Sequence, residues 1–419
     1  MTTPNPTPYI IIVGSNFAGR DQYFADHGID YVVLKDQQGT RFPDKRFKRR
    51  VVCNFDDPQA VIAAAKELHA KRPVSGVISF YEQYVAIAAE IASSLDLPAL
   101  PRKAAQACTD KQIMRQLFAK APQKISPDFA EVTNEQDIRN FAASHAFPLI
   151  LKPANLSKSL LVSKSNSLDE LVSNYQKTIG NIERVYAKYA PHTTPKLLIE
   201  EFMVGSIHSV DAFVGQDGVP HVLPFVVDYQ TGHDIGFADN FHYSRLMPSQ
   251  LSEADQTALR HCASLGIEAL GMRSSPAHVE VIMTADGPRI VEIGARNGGY
   301  RERMHGMANG LDIMGNALRI AMGQPLDLRS DRNDPIGVFE LFPKTPGTFI
   351  EIQNETQLRE LPSLAYLSVK AEPGAFVGSS SDGYKMCAVV ILHNSNQEQF
   401  DQDMRYLNHH VSVVTQPSL

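Results

Sequence analysis

The stretch from His278 to Gly299, HVEVIMTADGPRIVEIGARNGG, constrains the fold more than any other part of the sequence. It predicts two strands rich in Val and Ile, joined by a turn over residues 284–288, whose residue types favour turns. Folding this hairpin about Asp286 puts Glu280 opposite Glu292, because each lies six positions from the centre. Side chains alternate between the faces of a strand, so the two carboxylates are expected on one face.

Two carboxylates directly across a strand pair repel each other. In strands otherwise made of apolar residues, Glu280 and Glu292 therefore need a compensating cation, and Mg²⁺ or Mn²⁺ with oxygen ligands is the simplest candidate. Arg296 follows on the loop that leaves the second strand, and a metal beside an arginine suits the stabilisation of negative phosphoryl oxygens. The alternative interpretation is an exposed hairpin edge whose two acids point to solvent.

The composition restricts the class of protein. A chain of 419 residues is long enough for about two to four domains or subdomains. Its 43% hydrophobic and 21% charged residues are those of a soluble globular protein, and its net charge of −6 argues against nucleic acid as the main partner. No apolar run approaches the roughly 18 residues of a membrane span, and the N-terminus lacks the basic region of a signal peptide. The four cysteines form no C-x-x-C motif. We therefore expect a cytoplasmic protein with inert thiols and no membrane partner.

The first part of the chain, up to about residue 105, predicts a Rossmann-like domain. The run YIIIVG at residues 9–14 is typical of a buried parallel strand. Further strands are predicted at residues 31–34, 51–53 and 77–80. Helices are predicted between them, which favours a parallel sheet with helices on both faces. The turn after Gly14 lacks the G-x-G-x-x-G spacing, so we interpret it as a strand–turn–helix unit that binds no dinucleotide.

Two lysines in the middle of the chain are candidates for phosphate binding. Lys152 ends a predicted strand beside a turn that bears Asn and Ser, and such a lysine can hold phosphate oxygens. Lys111 and Arg115 lie four residues apart on a predicted helix, so both point to one side. Surface lysines without a ligand are the alternative interpretation. The strand LLIEEF at residues 197–202 ends in acids at an apolar edge, where the backbone can meet adenine and an acid can meet ribose.

Taken in order, these segments resemble the ATP-grasp superfamily of carboxylate–amine and carboxylate–thiol ligases over roughly residues 9–325. The landmarks are ISFYE, DKQIMRQL, PLILKPANLSKS, LLIEEFMVGSIHSVDAF and HVEVIM…RIVEIGARNGG. The H-x-E, E-I-x-A-R and paired glycines, followed by a helix with GLDIMGNAL, are similar to the branch of bacterial L-amino-acid ligases that make dipeptides.

The resemblance implies an architecture that combines α/β and α+β parts. It is an ATP-grasp fold with an N-terminal Rossmann-like (pre-ATP-grasp) domain at residues 1–105, an ATP-grasp core at 106–330 and a small C-terminal α+β subdomain at 331–419. Within the core, a lid subdomain at about 122–200 would close over the nucleotide, and residues from about 201 to 330 would form the metal-binding part.

The resemblance also implies the site residues. Lys111 and Lys152 would be the two nucleotide-binding cations, and Lys152 and Arg296 would be the catalytic residues. Glu280 and Glu292 would bind Mg²⁺ or Mn²⁺. The other expected ATP contacts are Ser157, Ser159, Glu200, Glu201, Phe202, Met203 and His208. The expected substrate contacts are His242, Arg245, Arg296, Gly298 and Gly299.

Two places depart from the family pattern. Gly294 stands where many members have a metal-binding Asn, so either the two glutamates suffice or Asn297 contributes a ligand. The phosphate loop at residues 154–159 lacks the usual glycines, which leaves its contacts open.

The implied activity is ATP-dependent ligation of a small-molecule carboxylate to an amine. It would run through an acyl phosphate and release ADP and phosphate, with an amino acid as a substrate. The resemblance leaves open whether the protein forms a homodimer. The alternatives are an ATP-grasp phosphotransferase or carboxylating enzyme with a non-amine acceptor, and a catalytically weak ATP-binding member of the fold.

Overall fold

The structure is a computed structural model that describes residues 7–15, 20–37, 49–156, 160–190, 193–239 and 241–417. Its first part contains strands β1 (Tyr9–Val13), β2 (Asp30–Asp36), β3 (Arg50–Cys53) and β4 (Gly76–Ser79) and helices α1 (Arg20–Asp26), α2 (Pro58–Lys71), α3 (Val85–Ser94), α4 (Arg102–Thr109) and α5 (Lys111–Phe118). Among the described residues the strands form a parallel sheet in the order β3-β2-β1-β4. The apolar run in β1 is fully buried, as expected for a strand covered on both faces.

Helix α5 begins at a strong N-cap. The carboxylate of Asp110 accepts hydrogen bonds from the backbone N–H groups of Gln112 and Ile113. Asp110 also has extended backbone dihedrals, so it separates α5 from α4. The helix therefore presents Lys111 and Arg115 from a fixed starting point.

The next part of the chain forms a separate antiparallel sheet. It contains strands β5 (Phe129–Val132), β6 (Leu149–Pro153), β7 (Ser163–Ser165) and β8 (Leu197–Glu201) and helices α6 (Glu135–Ser144) and α7 (Leu168–Tyr189). The strand order is β5-β8-β6-β7, and the two helices pack on this sheet around a small apolar core of their own. This unit lies within the range expected for the lid.

The central part contains strands β9 (Gly205–Val214), β10 (Pro220–Thr231), β11 (His242–Met247), β12 (Ser275–Thr284) and β13 (Gly287–Gly294) and helices α8 (Glu253–Leu270), α9 (Arg301–Ala308) and α10 (Ile313–Ala321). One face of its sheet packs on α8, α4 and α5 in the largest apolar cluster of the described residues. The other face carries the polar residues described below.

The last part contains strands β14 (Ile336–Leu341), β15 (Gly347–Gln353), β16 (Leu364–Val369), β17 (Phe376–Val377), β18 (Ala388–His393) and β19 (Ser412–Gln416) and helices α11 (Glu355–Arg359) and α12 (Gln397–His410). Strands β14, β18 and β16 extend the central sheet, whose order is β13-β12-β9-β10-β11-β14-β18-β16. The sheet thus runs across the expected boundary at residues 330–331. That domain boundary stays a prediction.

The architecture confirms the predicted fold class, a mixed α/β and α+β chain with a Rossmann-like first domain. In the described ranges, no helix is long and apolar enough to cross a membrane.

Candidate active site

The hairpin of β12 and β13 brings the two predicted metal ligands together. Glu280 pairs directly with Glu292 across the strands, as the sequence predicted. The turn is tighter than expected, because Thr284 already pairs with Gly287. Both carboxylates keep an accessible surface, 20% for the side chain of Glu280 and 33% for that of Glu292. They are therefore partly open to solvent and not sealed in the apolar core.

Each carboxylate is held in its charged form. Lys111 Nζ lies 2.8 Å from Oε2 of Glu292, and its charge lowers the pKa of Glu292. Burial alone would raise the pKa of Glu280, but the contact with His278 and other nearby positive charges hold it well below its usual range. Burial alone would also lower the pKa of Lys111, and the pairing with Glu292 raises it instead. The site is thus built from ionised groups.

The donor set fits Mg²⁺ when phosphate is present. Glu280 and Glu292 offer hard oxygen ligands. Among the described residues, no group of three or more His, Cys, Asp or Glu side chains is placed to hold a metal by itself. Two carboxylates with the remaining positions filled by water and substrate phosphate are typical of Mg²⁺. A Cβ at Gly294 would lie 3.0 Å from Glu82 Oε2, so a side chain at this position would require the Glu82 carboxylate to shift slightly. The side-chain nitrogen of Asn297 is buried without a partner in the described part of the chain. A metal would be bound by the side-chain oxygen of this residue and not by that nitrogen.

Arg296 is paired with a residue of the first domain. Its Nε lies 2.8 Å from Oε2 of Glu82, at the start of the 3₁₀ turn Glu82–Tyr84 that follows β4. Burial raises the pKa of Glu82, and Arg296 offsets this only in part. No role was predicted for Glu82, although it ends the ISFYE motif that is one landmark of the family resemblance. It is also an acid just after a buried parallel strand, at the sheet edge where ligands commonly bind.

The second predicted cation, Lys152, lies at the end of β6 in a buried cluster of charges. Its Nζ is 2.6 Å from Oε2 of Glu200, and Arg115 Nε is 3.0 Å from Oε1 of the same carboxylate. Burial lowers the pKa of Lys152 to about 8, with Glu200 opposing the shift. The pairing means that the Glu200 side chain is not free for a nucleotide, so an adenine contact there would come from its backbone.

The remaining predicted nucleotide residues lie at the end of β8 and the start of β9. Glu201 pairs with Lys124 at 3.1 Å, and the Phe202 ring lies under Lys164. Both ring nitrogens of His208 are engaged, Nδ1 with Asp228 at 2.8 Å and Nε2 with Ser206 at 2.6 Å. His208 therefore has no free nitrogen for the predicted ribose contact. Met203 is half-buried between β8 and β9. Ser157 and Ser159 lie outside the described residues.

The predicted substrate residues His242 and Arg245 lie on β11. Arg245 is largely buried, with Nη2 3.5 Å from Oε2 of Glu340 and its guanidinium 5.2 Å from the centre of the Tyr300 ring. Tyr300 donates a hydrogen bond of 2.8 Å to the other oxygen of Glu340. Burial lowers the pKa of His242, which favours a neutral imidazole. Glu340 belongs to β14, so the last part of the chain contributes to the surroundings of Arg245.

A buried polar network of residues from β9, β12 and α9 lies next to Glu280 of the hairpin. His278 Nδ1 lies 2.7 Å from Asp211, and its Nε2 lies 3.7 Å from Oε1 of Glu280. Arg301 Nε donates to Asp211 at 2.9 Å. Burial disfavours a charged imidazole, but the Asp211 carboxylate outweighs it and raises the pKa of His278 to about 10. The signal in the sequence was an acid beside apolar residues in the predicted strand HSVDAFV, because an acid that is buried there needs a partner.

The loop after β13 is packed tightly at one glycine and open at the next. A Cβ on Gly298 would overlap the ring of His278, whereas one on Gly299 would meet no heavy atom within 4 Å. Gly298 therefore allows the loop to lie against His278, and Gly299 is exposed toward solvent.

A Rossmann-like domain, a separate four-stranded antiparallel sheet and a hairpin with paired acids define an ATP-grasp architecture, and comparison with known proteins agrees with it. Residues 145–302 match the family model of the ATP-grasp domain, and residues 25–99 match that of the ATP-grasp N-terminal domain. The chain belongs to the ATP-grasp superfamily.

The individual relatives are distant. An uncharacterised protein, y4rH of Sinorhizobium fredii, is 22% identical over 325 residues, which are 77% of this chain and 64% of that protein. D-alanine–D-alanine ligase B of Pseudomonas syringae pv. tomato is 27% identical over 168 residues, 39% of this chain and 46% of that protein. The alignments thus span less than two thirds of either relative.

A solved structure covers the chain more fully. The L-amino acid ligase from Bacillus licheniformis superposes with a TM-score of 0.79 at 20% identity, covering 98% of this chain and 99% of that one. At this identity the match shows a shared fold.

Proposed function

We propose that the protein is an ATP-dependent carboxylate–amine ligase that forms an amide through an acyl phosphate and releases ADP and phosphate. We further propose that an amino acid is one of its substrates. The observation that carries the proposal is the group of charges at the hairpin, where Glu280 and Glu292 face each other with Lys111 and Arg296 beside them. Two carboxylates and two cations suit a metal-bound phosphate chain. The named ligases among the similar proteins support the reaction class.

The chemistry divides into two steps, because oxide is too poor a leaving group for an amine to displace. In the first step, an oxygen of the substrate carboxylate bonds to the γ-phosphorus of ATP, the bond from that phosphorus to the β-phosphate oxygen breaks, and ADP leaves. In the second step, the amine nitrogen bonds to the acyl carbon, the carbon–oxygen bond to phosphate breaks, and the nitrogen gives up a proton. Phosphate replaces oxide as the leaving group.

The charged residues have separate roles in this scheme. Glu280 and Glu292 would hold Mg²⁺, which when bound offsets the negative charge of phosphate oxygens. Lys152 and Lys111 neutralise the phosphates as ammonium groups. Arg296 stabilises the oxygens that gain negative charge during phosphoryl transfer and in the tetrahedral intermediate. The lid sheet, with β6 at its centre, would keep water away from the acyl phosphate.

The acceptor side is the surface formed by His242, Arg245, Tyr300 and Glu340. Arg245 can bind a carboxylate through two parallel hydrogen bonds, which suits an amino acid as the amine substrate. Its contact with Glu340 is long, 3.5 Å, so the guanidinium can still donate hydrogen bonds to a second anionic partner. A neutral His242 beside it suits contact with an uncharged amine.

The test is a phosphate-release screen over amino acids and small carboxylic acids, followed by mass spectrometry of the products. The proposal expects phosphate release that depends on both a carboxylate and an amine. A phosphorylated or carboxylated product would support the phosphotransferase or carboxylase alternative instead. ATP binding without turnover on any substrate pair would support the catalytically weak alternative.

A further inference from the structure

The carboxylate of Glu200 has two cationic partners from different parts of the chain. Arg115 on α5 approaches it with Nε at 3.0 Å from Oε1 and Nη2 at 3.4 Å from Oε2. Lys152 on β6 approaches Oε2 at 2.6 Å. The three side chains are almost sealed from solvent, with 0% of Arg115, 3% of Glu200 and 9% of Lys152 exposed. One buried negative charge is therefore shared by two positive charges.

This arrangement conflicts with the role expected of Lys152. An ammonium group 2.6 Å from a buried carboxylate is already engaged, and binding of phosphate oxygens requires it to turn away. If Lys152 were the only partner of Glu200, its departure would leave an unpaired buried charge, which is strongly unfavourable. The nucleotide would then compete with Glu200 for the lysine.

Arg115 removes this conflict because it can keep Glu200 paired. Its Nη2 also donates a hydrogen bond of 2.8 Å to the carbonyl oxygen of Val291, the residue before Glu292 on β13. That bond anchors the guanidinium to the central sheet, so it does not follow Lys152. One turn earlier on the same helix, Lys111 shares the pattern: it pairs with Glu292, whose alternative partner would be the metal.

We propose that Arg115 is a positioning residue for nucleotide binding: it retains Glu200 while Lys152 transfers from that carboxylate to the inner phosphates. The inference rests on the ATP-binding half of the proposed function and not on the ligation. In this scheme each lysine leaves a carboxylate that still has another cation to pair with. Nucleotide binding therefore leaves no buried carboxylate unpaired.

The test measures binding of ADP with Mg²⁺ by calorimetry, because ADP carries the inner phosphates and is not turned over. We expect Arg115→Met to weaken binding roughly tenfold or more, since Glu200 then keeps Lys152. Adding Glu200→Gln removes the charge that holds the lysine, so the double variant should recover most of the affinity. If Arg115 acted only by packing, the change Glu200→Gln would not restore the ADP affinity of the Arg115→Met variant.

Two controls accompany the cycle. Arg139→Met breaks a pair on the exposed face of lid helix α6, where Arg139 contacts Glu135 at 2.6 Å, and should leave binding unchanged. If Arg115→Met alone does not fold, Glu200→Gln is compared with the double variant, because exchanging a whole buried pair for neutral residues is usually tolerated. Equal affinity of those two proteins supports the proposal, and a further loss on adding Arg115→Met overturns it.

The remaining outcomes separate this inference from the proposed function. Wild-type affinity in Arg115→Met, or a folded double variant that stays as weak as Arg115→Met, overturns the role of Arg115 alone. Absence of ADP and ATP binding by the wild-type chain would overturn both proposals. Nucleotide binding without amide formation would overturn the ligase proposal and leave the role of Arg115 standing.

Discussion

Glu280 and Glu292 lie directly across from each other on β12 and β13, and each is approached by a positive group from outside that residue pair. Lys111 reaches Glu292 from helix α5, and His278 reaches Glu280 from the same strand with Asp211 behind it. The two carboxylates thus remain charged side by side. That arrangement is unfavourable without a ligand and becomes favourable when a divalent cation lies between them.

The first prediction concerns this pair. Glu280→Gln or Glu292→Gln should lower Mg²⁺-dependent ATP turnover by at least about 100-fold, because a metal contributes several kcal/mol of charge stabilisation. The change in side-chain volume is small, so the fold should persist. Steady-state rates at several Mg²⁺ concentrations, with circular dichroism for the fold, provide the measurement. Glu268→Gln on the exposed side of α8 is the matched control. Wild-type rates in both site variants would remove the metal assignment.

The second prediction concerns pH. Lys152 has a pKa of about 8 because burial disfavours its charged form. The charged form binds phosphate, so kcat/KM for ATP, which reports the free enzyme, should fall as the pH rises through about 8. Bound phosphates favour the ammonium form, so the fall in kcat should come at higher pH.

The matched control for this pH dependence is Lys152→Arg, whose guanidinium stays charged throughout. In that variant the fall in kcat/KM should disappear, even if the absolute value is lower. An unchanged profile in Lys152→Arg would mean that another group titrates.

The third prediction concerns the acceptor side. Arg245→Ala should raise KM for an amino-acid substrate by roughly tenfold or more, because the substrate loses one charged hydrogen-bonding partner. KM for ATP should change little. Initial rates with each substrate varied in turn measure this. Arg260→Ala, which removes an arginine paired with Glu253 on α8, is the control. Equal effects on both KM values would place Arg245 outside the acceptor site.

The sequence predicted the elements whose signals are local. The pairing of Glu280 with Glu292 was predicted, although not for the reason that gives it: the turn alone would place Glu280 opposite Val291, and a register shift between Glu280 and Val281 brings it opposite Glu292. The first sheet followed from the alternation of strands and helices. Helix α5 was predicted within residues 108–120 with Asp110 as its N-cap. Asp110 does cap α5, and the same residue also ends the separate helix α4. Local polarity can mark such a break, although the apolar pattern continues through it.

The contacts that were missed are those between distant segments. Glu82 meets Arg296 because the first domain packs on the central sheet, and nothing near Glu82 in sequence specifies that docking. Strand β14 brings Glu340 to Arg245 because it joins the central sheet at β11. The partner of a strand is set by packing over the whole sheet, which short motifs do not encode.

The fourth prediction concerns stability and Gly205. This residue begins β9, and a Cβ there would overlap the backbone carbonyl of Met283, which cannot rotate aside. Gly205→Ala should therefore lower the free energy of unfolding by about 1–3 kcal/mol. Gly180→Ala is the matched control: Gly180 lies exposed within α7 with no heavy atom near its Cβ, so alanine should stabilise the helix by about 0.5–1 kcal/mol. Urea denaturation measures both, and equal shifts would contradict the steric argument.

The last prediction concerns the products. ATP should be cleaved to ADP and phosphate and not to AMP and pyrophosphate. Glu280, Glu292 and Arg296 lie together, while Lys152 lies on β6 of the separate antiparallel sheet, where we propose that it neutralises the inner phosphates. Stabilisation aimed at the γ-phosphoryl group favours attack there, whereas adenylation requires it at the α-phosphorus. Nucleotide chromatography distinguishes the two, and AMP as the main product would refute the mechanism. Mass spectrometry tests the ligation itself, because an amide must weigh the sum of its two substrates less one water.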